Sequence, residues 1–338
     1  MKAGNISQTV WKRSVRKQLK HVREEVLFPP SMEEACSAIR VPEGQVAVYA
    51  GAQSFGNVEE AGIYAAARAL NEVASWGADP VGLSVQAVLP LSATEAQVKA
   101  MTGCMESVCS EAGVQLTCLK VESNPAVNQA FFTAEAVGSA KEENLTRAAD
   151  AAPGEDIILC GYIGLEGMLR ILAEREEELG QRFVPAFIRQ MKGLRHQLLG
   201  IPAIRAAKCA GASAVHQIGS GGILAALWEL AEASGIGLEV ALSRMSIRQE
   251  TVEVCEYYHL NPYQMTSTGS FLMTAADGDA LVKELEGVGA RAVKLGVATD
   301  GKARVITSGE EQRYLDRPAP DELMLWWERA LKSETAAP

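Results

Sequence analysis

The stretch "SAVHQIGSGGILAALWELAEASG", residues 213–235, sets His216, Gln217, Ser220, Gly221 and Gly222 ahead of a long apolar segment. Apolar residues running into a glycine turn before a helix make an anion site. The free N–H groups of the first turn and the helix dipole both favour negative charge there. A phosphate bound with magnesium also needs a carboxylate close by, because magnesium takes hard oxygen ligands in near-octahedral geometry. Gln217 offers an amide instead, which can orient water but carries no charge. A second glycine turn, "IILCGYIGLEG", has no lysine in the phosphate-loop arrangement and lacks the dinucleotide fingerprint. It reads as a structural turn, with a helix-terminus anion site as the alternative.

Other reactive residue types are sparse. Seven cysteines (Cys36, Cys104, Cys109, Cys118, Cys160, Cys209 and Cys255) form no close pair, and four histidines are dispersed. Neither a disulfide framework nor a zinc knuckle follows, and most of the thiols read as buried and reduced. Lys12, Arg13, Arg16, Lys17, Lys20 and Arg23 crowd "WKRSVRKQLKHVREEV", where Val15, Leu19, Val22 and Val26 recur at helical spacing. The pattern predicts one helix over residues 11–26, stopped by "FPPS". Its basic side is either a solvated face or a dock for an anionic ligand or acidic partner. Over the whole chain 42 acidic residues outnumber 32 basic ones, for a net charge of -10, which disfavours nucleic acid as a partner. The start "MKAGNISQTVWKRS" has no secretory hydrophobic stretch and no apolar run is of membrane length, so the expectation is cytoplasmic residence without a membrane partner.

Strands and helices alternate along the chain. "QVAVYAGAQSF" reads as a strand, "EEAGIYAAARALNEVASWGADP" as an alanine-rich helix ending near Gly77, and "VGLSVQAVLP" as the next strand. Ser92, with Glu95 three residues on, predicts a capping box for the helix in "SATEAQVKAMTGCMESVCSEAG". "VQLTCLKVES" and "AFFTAEAVGSA" read as strands. A break at "AADAAPGED" divides the chain into domains 1–153 and 154–338. Further strands follow in "GIGLEVAL", "SFLMTAA", "AVKLGVAT" and "ARVITSG", with helices between them and a last helix carrying Trp326 and Trp327 as packing residues. The fold class is α/β (α+β).

From "EEAGIYAAARALNEVASWGADPVGLSVQAVLP" onward the chain resembles the aminoimidazole-ribonucleotide-synthase-like (PurM-like) superfamily, on its hydrogenase-maturation-factor-like branch. The likeness runs from "VWKRSVRKQLKHVREEVL" through "AAPGEDIILCGYIGLEG" to "NPYQMTSTGSFLM". It implies two domains, a homodimer formed through the N-terminal sheets, and ATP with Mg²⁺ held by acidic residues. Set against that pattern, the "GEDCA"-like segment is Glu33, Glu34, Ala35, Cys36 and Ser37, so Ala35 replaces an aspartate. Gly51 stands where relatives place an aspartate at a strand end, and Gln217 where they place one after His216. Asn71 and Glu72 keep the charge of the "NDIA" pair with one extra methylene. The resemblance leaves Glu72 as the metal ligand, helped by Glu34, Glu59 or Glu60, and Asn57, Asn71, His216, Ser220, Gly221 and Gly222 as nucleotide or anion ligands. No cysteine follows Cys255 in a chain read to "LKSETAAP", so a tail-borne thiocarboxamide has no carrier in it.

Three functions follow. The first is a catalytically altered or non-catalytic member that binds a nucleotide-like anion or regulates a partner. The second is an ATP- and Mg²⁺-dependent phosphoryl-transfer or dehydration enzyme with a rearranged metal shell. The third is a dimeric scaffold for a protein partner.

Overall fold

Along "AFFTAEAVGSA" every second residue is small or apolar, and that alternation gives a strand with one covered face. The computed structural model describes residues 2–32 and 36–336, and divides into two units, Met1–Leu145 and Thr146–Pro338. In the first, β1 (Gly4–Asn5), β2 (Val46–Gly56), β3 (Asp79–Leu89), β4 (Gln115–Ser123) and β5 (Ala130–Ala140) form one sheet in the order β1-β4-β3-β5-β2. β3 and β4 are parallel, joined across the helix Glu95–Ala112, and the other pairs are antiparallel.

The helix Ala61–Ser75 lies on this sheet with Ala65, Ala66, Ala67, Ala69 and Leu70 fully buried. Small side chains let its backbone come close: a Cβ added at Gly62 would meet Met105 at 2.0 Å. The covered face carries Val85, Ala87, Phe132 and Ala134, and the opposite face Ser84, Gln86, Val88, Thr133 and Glu135, half-buried or exposed. The capping box at Glu95–Ala112 sits two residues later than the sequence reading placed it. The Thr94 hydroxyl accepts from the Gln97 N–H at 3.2 Å, and the Gln97 Oε1 accepts from the Thr94 N–H at 3.0 Å.

The helix expected over residues 11–26 is much shorter. A turn at Gln8–Val10 runs into a π-helix at Trp11–Arg16, and the chain then leaves the helical path. Distant side chains take the N–H groups that a longer helix would use. Glu106 Oε1 accepts from Lys20 at 2.6 Å and from His21 at 2.5 Å, and Gln115 Oε1 accepts from Arg23 at 2.6 Å. Val15 is therefore buried while Val22 is 75% exposed.

The second unit holds β6 (Asp156–Cys160), β7 (Ala214–Gln217), β8 (Gly237–Ala241), β9 (Phe271–Ala275), β10 (Ala292–Thr299), β11 (Arg304–Ser308) and β12 (Glu311–Tyr314), ordered β12-β11-β8-β10-β6-β9-β7. Only β8 and β11 run parallel among the paired strands. The apolar side of the helix Gly222–Ser234, with Ile223, Leu227 and Leu230, shares a core with Leu238, Val240 and Leu272. Trp326 and Trp327 of the last helix, Glu322–Ala336, are buried, and Trp326 meets Tyr258 edge-on at 5.8 Å.

Candidate functional site

The turn after β7 is shaped by its glycines. Gly221 and Gly222 have φ of 84° and 68°, left-handed values that L side chains rarely adopt. A Cβ on Gly222 would meet the Tyr263 carbonyl oxygen at 2.5 Å and the Met265 nitrogen at 2.6 Å, so the pair lets the helix start press against the 263–265 backbone. The N–H groups of the pair are already engaged. Gly222 donates to the Gly219 carbonyl at 3.2 Å, and Gly221 to Asp321 Oδ2 at 2.7 Å. Asp321 Oδ1 also accepts from the Leu323 N–H at 2.9 Å. The anion at this helix start is thus the chain's own carboxylate, only 5% exposed, and burial pushes its carboxyl above the ordinary value.

Around this turn the other candidates separate. His216 is half-buried on the edge strand β7, with Nε2 2.9 Å from Glu229 Oε2. Gln217 is buried at 2% exposure, and Ser220 is exposed. In the first unit, Gly51 lies in mid-strand on β2 rather than at its end, paired with Glu135, because β2 runs on to Gly56. Asn57 forms the turn into the helix Ala61–Ser75: its side chain accepts from the Glu59 N–H and its carbonyl from the Ala61 N–H, both at 2.9 Å. Glu60 stands at that helix's N-cap. Asn71 is fully buried in the same helix and Glu72 beside it half-buried. Glu33, Glu34 and Ala35 lie outside the described residues.

Sequence reading missed a buried polar cluster next to Asp321. Glu166 is fully buried, pairs with Arg170 at 3.2 Å, and accepts from the Thr266 and Thr268 hydroxyls at 3.1 and 2.5 Å. Its signal was available in "LEGMLRIL", where an acid and a base four residues apart interrupt an apolar run. Among the described residues no three His, Cys, Asp or Glu side chains gather as a metal-ligand set. Burial pushes the Cys160 and Cys255 thiols up to about 12, which removes them as nucleophiles at neutral pH. Cys109, Cys160 and Cys255 are buried, Cys104 and Cys118 half-buried and Cys36 and Cys209 exposed, so the expectation that most of the thiols are buried is not met.

Residues 152–308 match the model of the AIR synthase related protein, C-terminal domain. Carbamoyl dehydratase HypE of Rhodobacter capsulatus is 25% identical over 329 residues, 92% of this chain and 94% of that protein. The crystal structure of Escherichia coli HypE, a hydrogenase maturation protein, shares the fold with a TM-score of 0.76 at 18% identity, covering 93% of this chain and 98% of that one. A HypE structure in complex with ATP reaches 0.67 at 17% identity, over 85% and 89% of the two chains. A HypE–HypF complex reaches 0.64 at 18% identity, over 83% and 92%. Residues 152–308 thus carry an AIR-synthase-related C-terminal domain, and over nearly its whole length the chain is similar in sequence and fold to the HypE-like hydrogenase maturation proteins.

Proposed function

We propose that this chain is a HypE-like protein whose magnesium-ATP chemistry has been lost or strongly altered, and that it acts as a cytoplasmic homodimer on a protein partner. The observation that carries this reading is the Asp321 carboxylate on the Gly221 N–H. A triphosphate brought to the same helix start would meet a buried acid in place of a free N–H group, with neutral Gln217 where a metal-holding carboxylate would help. Those residues do not fit a metal-triphosphate complex. A protein partner is in keeping with the HypE–HypF assembly among the relatives.

The test is ATP hydrolysis and Mg²⁺-dependent ATP binding by the purified full chain. No turnover above the buffer blank is expected, and turnover at the rate of ordinary family enzymes would overturn the proposal. A second reading keeps ATP chemistry with Glu72 as metal ligand. It rests on the half-buried Glu72 beside fully buried Asn71, and on the ATP complex of a relative. Turnover abolished by Glu72→Gln would decide for it.

A further inference from the structure

Cys36 is exposed in the segment that precedes β2, and Cys118 is half-buried on β4. The chain brings the two to one end of the N-terminal sheet. Arg23 ties the segment to the start of β4, its N–H donating to Gln115 Oε1 and its Nη1 to the Gly113 carbonyl, both at 2.6 Å. Residues 25–28 then carry residues 37–40 alongside them. The Leu27 N–H donates to the Ala38 carbonyl and the Arg40 N–H to the Glu25 carbonyl, both at 2.8 Å, and the Ser37 hydroxyl donates to the Phe28 carbonyl at 2.6 Å. Val26 and Ile39 are antiparallel bridge partners within this pair. Ile39 reaches the sheet: a Cβ added at Gly82 would meet Ile39 Cδ1 at 2.8 Å, Thr117 Cγ2 at 2.7 Å and Val137 Cγ1 at 3.5 Å. Thr117 is the neighbour of Cys118, and Cys36 stands three residues before Ile39.

Cys118 is the register partner of Ser84, so its sulfur lies on the sheet face away from the helix Ala61–Ser75, the face on which Val137 and Ile39 meet Gly82. Burial holds the Cys118 thiol above its ordinary value, a hydrogen bond with Ser84 offsets part of this, and the charge of the nearby Cys36 adds to it. Thiol–disulfide exchange takes an accessible thiolate to attack and a second thiol within reach to resolve the mixed disulfide. Cys36 has the access, and Cys118 stands behind it. We propose that Cys36 and Cys118 form a reversible disulfide by exchange with the disulfide of a small thiol, fastening the segment before Ile39 to the open face of the sheet. Cys36 gives up its proton and attacks one sulfur of the small disulfide, whose other half leaves as a thiolate and is protonated. Cys118 then gives up its proton and attacks the Cys36 sulfur, releasing the second small thiol. Two protein thiols are oxidised by two electrons and one small disulfide is reduced to two thiols. Such a bond inside a cell is transient and reports the thiol redox state. The pair lies wholly within the first unit and is independent of any reading of the Gly221 turn.

The experiment treats the full chain, reduced and folded, with oxidised glutathione, and maps its cysteines by mass spectrometry of unreduced peptides. The peptides of Cys36 and Cys118 from one chain should be joined to each other, with no glutathione retained on either, and dithiothreitol should return both thiols. In Cys118→Ser the resolving thiol is gone, so the mixed disulfide of glutathione with Cys36 should accumulate. Cys36→Ser changes an exposed position and provides a second route should Cys118→Ser fold poorly. In it Cys118 should stay a free thiol over the time in which the wild-type pair closes. Hydrogen exchange at the Leu27 and Arg40 amides, which hold the 25–28 and 37–40 segments together, should slow by about tenfold in the oxidised chain, because the new bond opposes local opening. A wild-type chain that keeps glutathione on Cys36 beside a free Cys118, a Cys36 joined to any other cysteine, or a Cys118 capped by glutathione in Cys36→Ser as fast as the wild-type pair closes would each overturn the proposal.

Discussion

Asp321 brings a carboxyl group into a place where its charge is both needed and penalised. It supplies acceptors to the Gly221 and Leu323 N–H groups, yet its burial raises the carboxyl pKa above the ordinary 3.8. A folded-state pKa above the unfolded one means that the folded chain holds the proton more tightly. The stability from this group is then complete below the unfolded pKa and is lost as pH rises through the folded pKa. Asp321→Asn removes that titration. The gap in unfolding free energy between wild type and Asp321→Asn should therefore move in favour of wild type as pH falls from neutral towards about 4, measured by urea unfolding at several pH values. A gap that is flat over that range would mean that Asp321 titrates alike in the folded and unfolded chain. Asp321→Ala should lower stability by about 2 kcal/mol at neutral pH, because two buried donors lose their acceptors.

The helix Leu165–Glu174 shows what an element does with a charge it cannot expose. Glu166 and Arg170 lie one turn apart with side chains 0% and 7% exposed, on a helix otherwise built of core residues. Removing one partner of such a pair strands the other, at about 3–5 kcal/mol, whereas replacing both with apolar residues is far milder. Arg170→Met should thus destabilise by about 3 kcal/mol in urea unfolding, and Glu166→Met added to it should recover much of the loss. A double variant no more stable than Arg170→Met would assign the stability to the Thr266 and Thr268 hydrogen bonds instead. Elements whose cause is local were legible in the sequence. The alanine run of 61–75 and the alternation of 130–140 depend on neighbours a few residues away, and both were read correctly. The segment 17–26 was not, because Glu106 and Gln115 decide its path from more than 80 residues away. The same reason hid the contact between Gly221 and Asp321, 100 residues apart. Periodicity records which face of an element is apolar and carries no trace of which distant side chain will claim its N–H groups.

At the scale of the whole molecule, no helix among the described residues is long and apolar enough to cross a membrane, and one face of the N-terminal sheet carries apolar side chains that are only half-buried. Opposite the face under Ala61–Ser75, β3 and β5 present Val88, Phe131 and Val137 half-buried among Gln86, Thr133 and Glu135. The homodimer proposed above would use this face, since a second copy buries on it the side chains that the helices leave uncovered. Gln86 and Thr133 are register partners near its middle, on the central strand and its neighbour. An arginine at each would bring like charges together across a two-fold axis, where an isologous contact repeats every substitution. Light scattering on the wild-type chain should give twice the 36.1 kDa chain mass, and Gln86→Arg/Thr133→Arg should give the single-chain mass with unchanged far-ultraviolet circular dichroism. A wild-type monomer would remove the dimer from the proposal, and a double variant that stays dimeric would move the interface to another face.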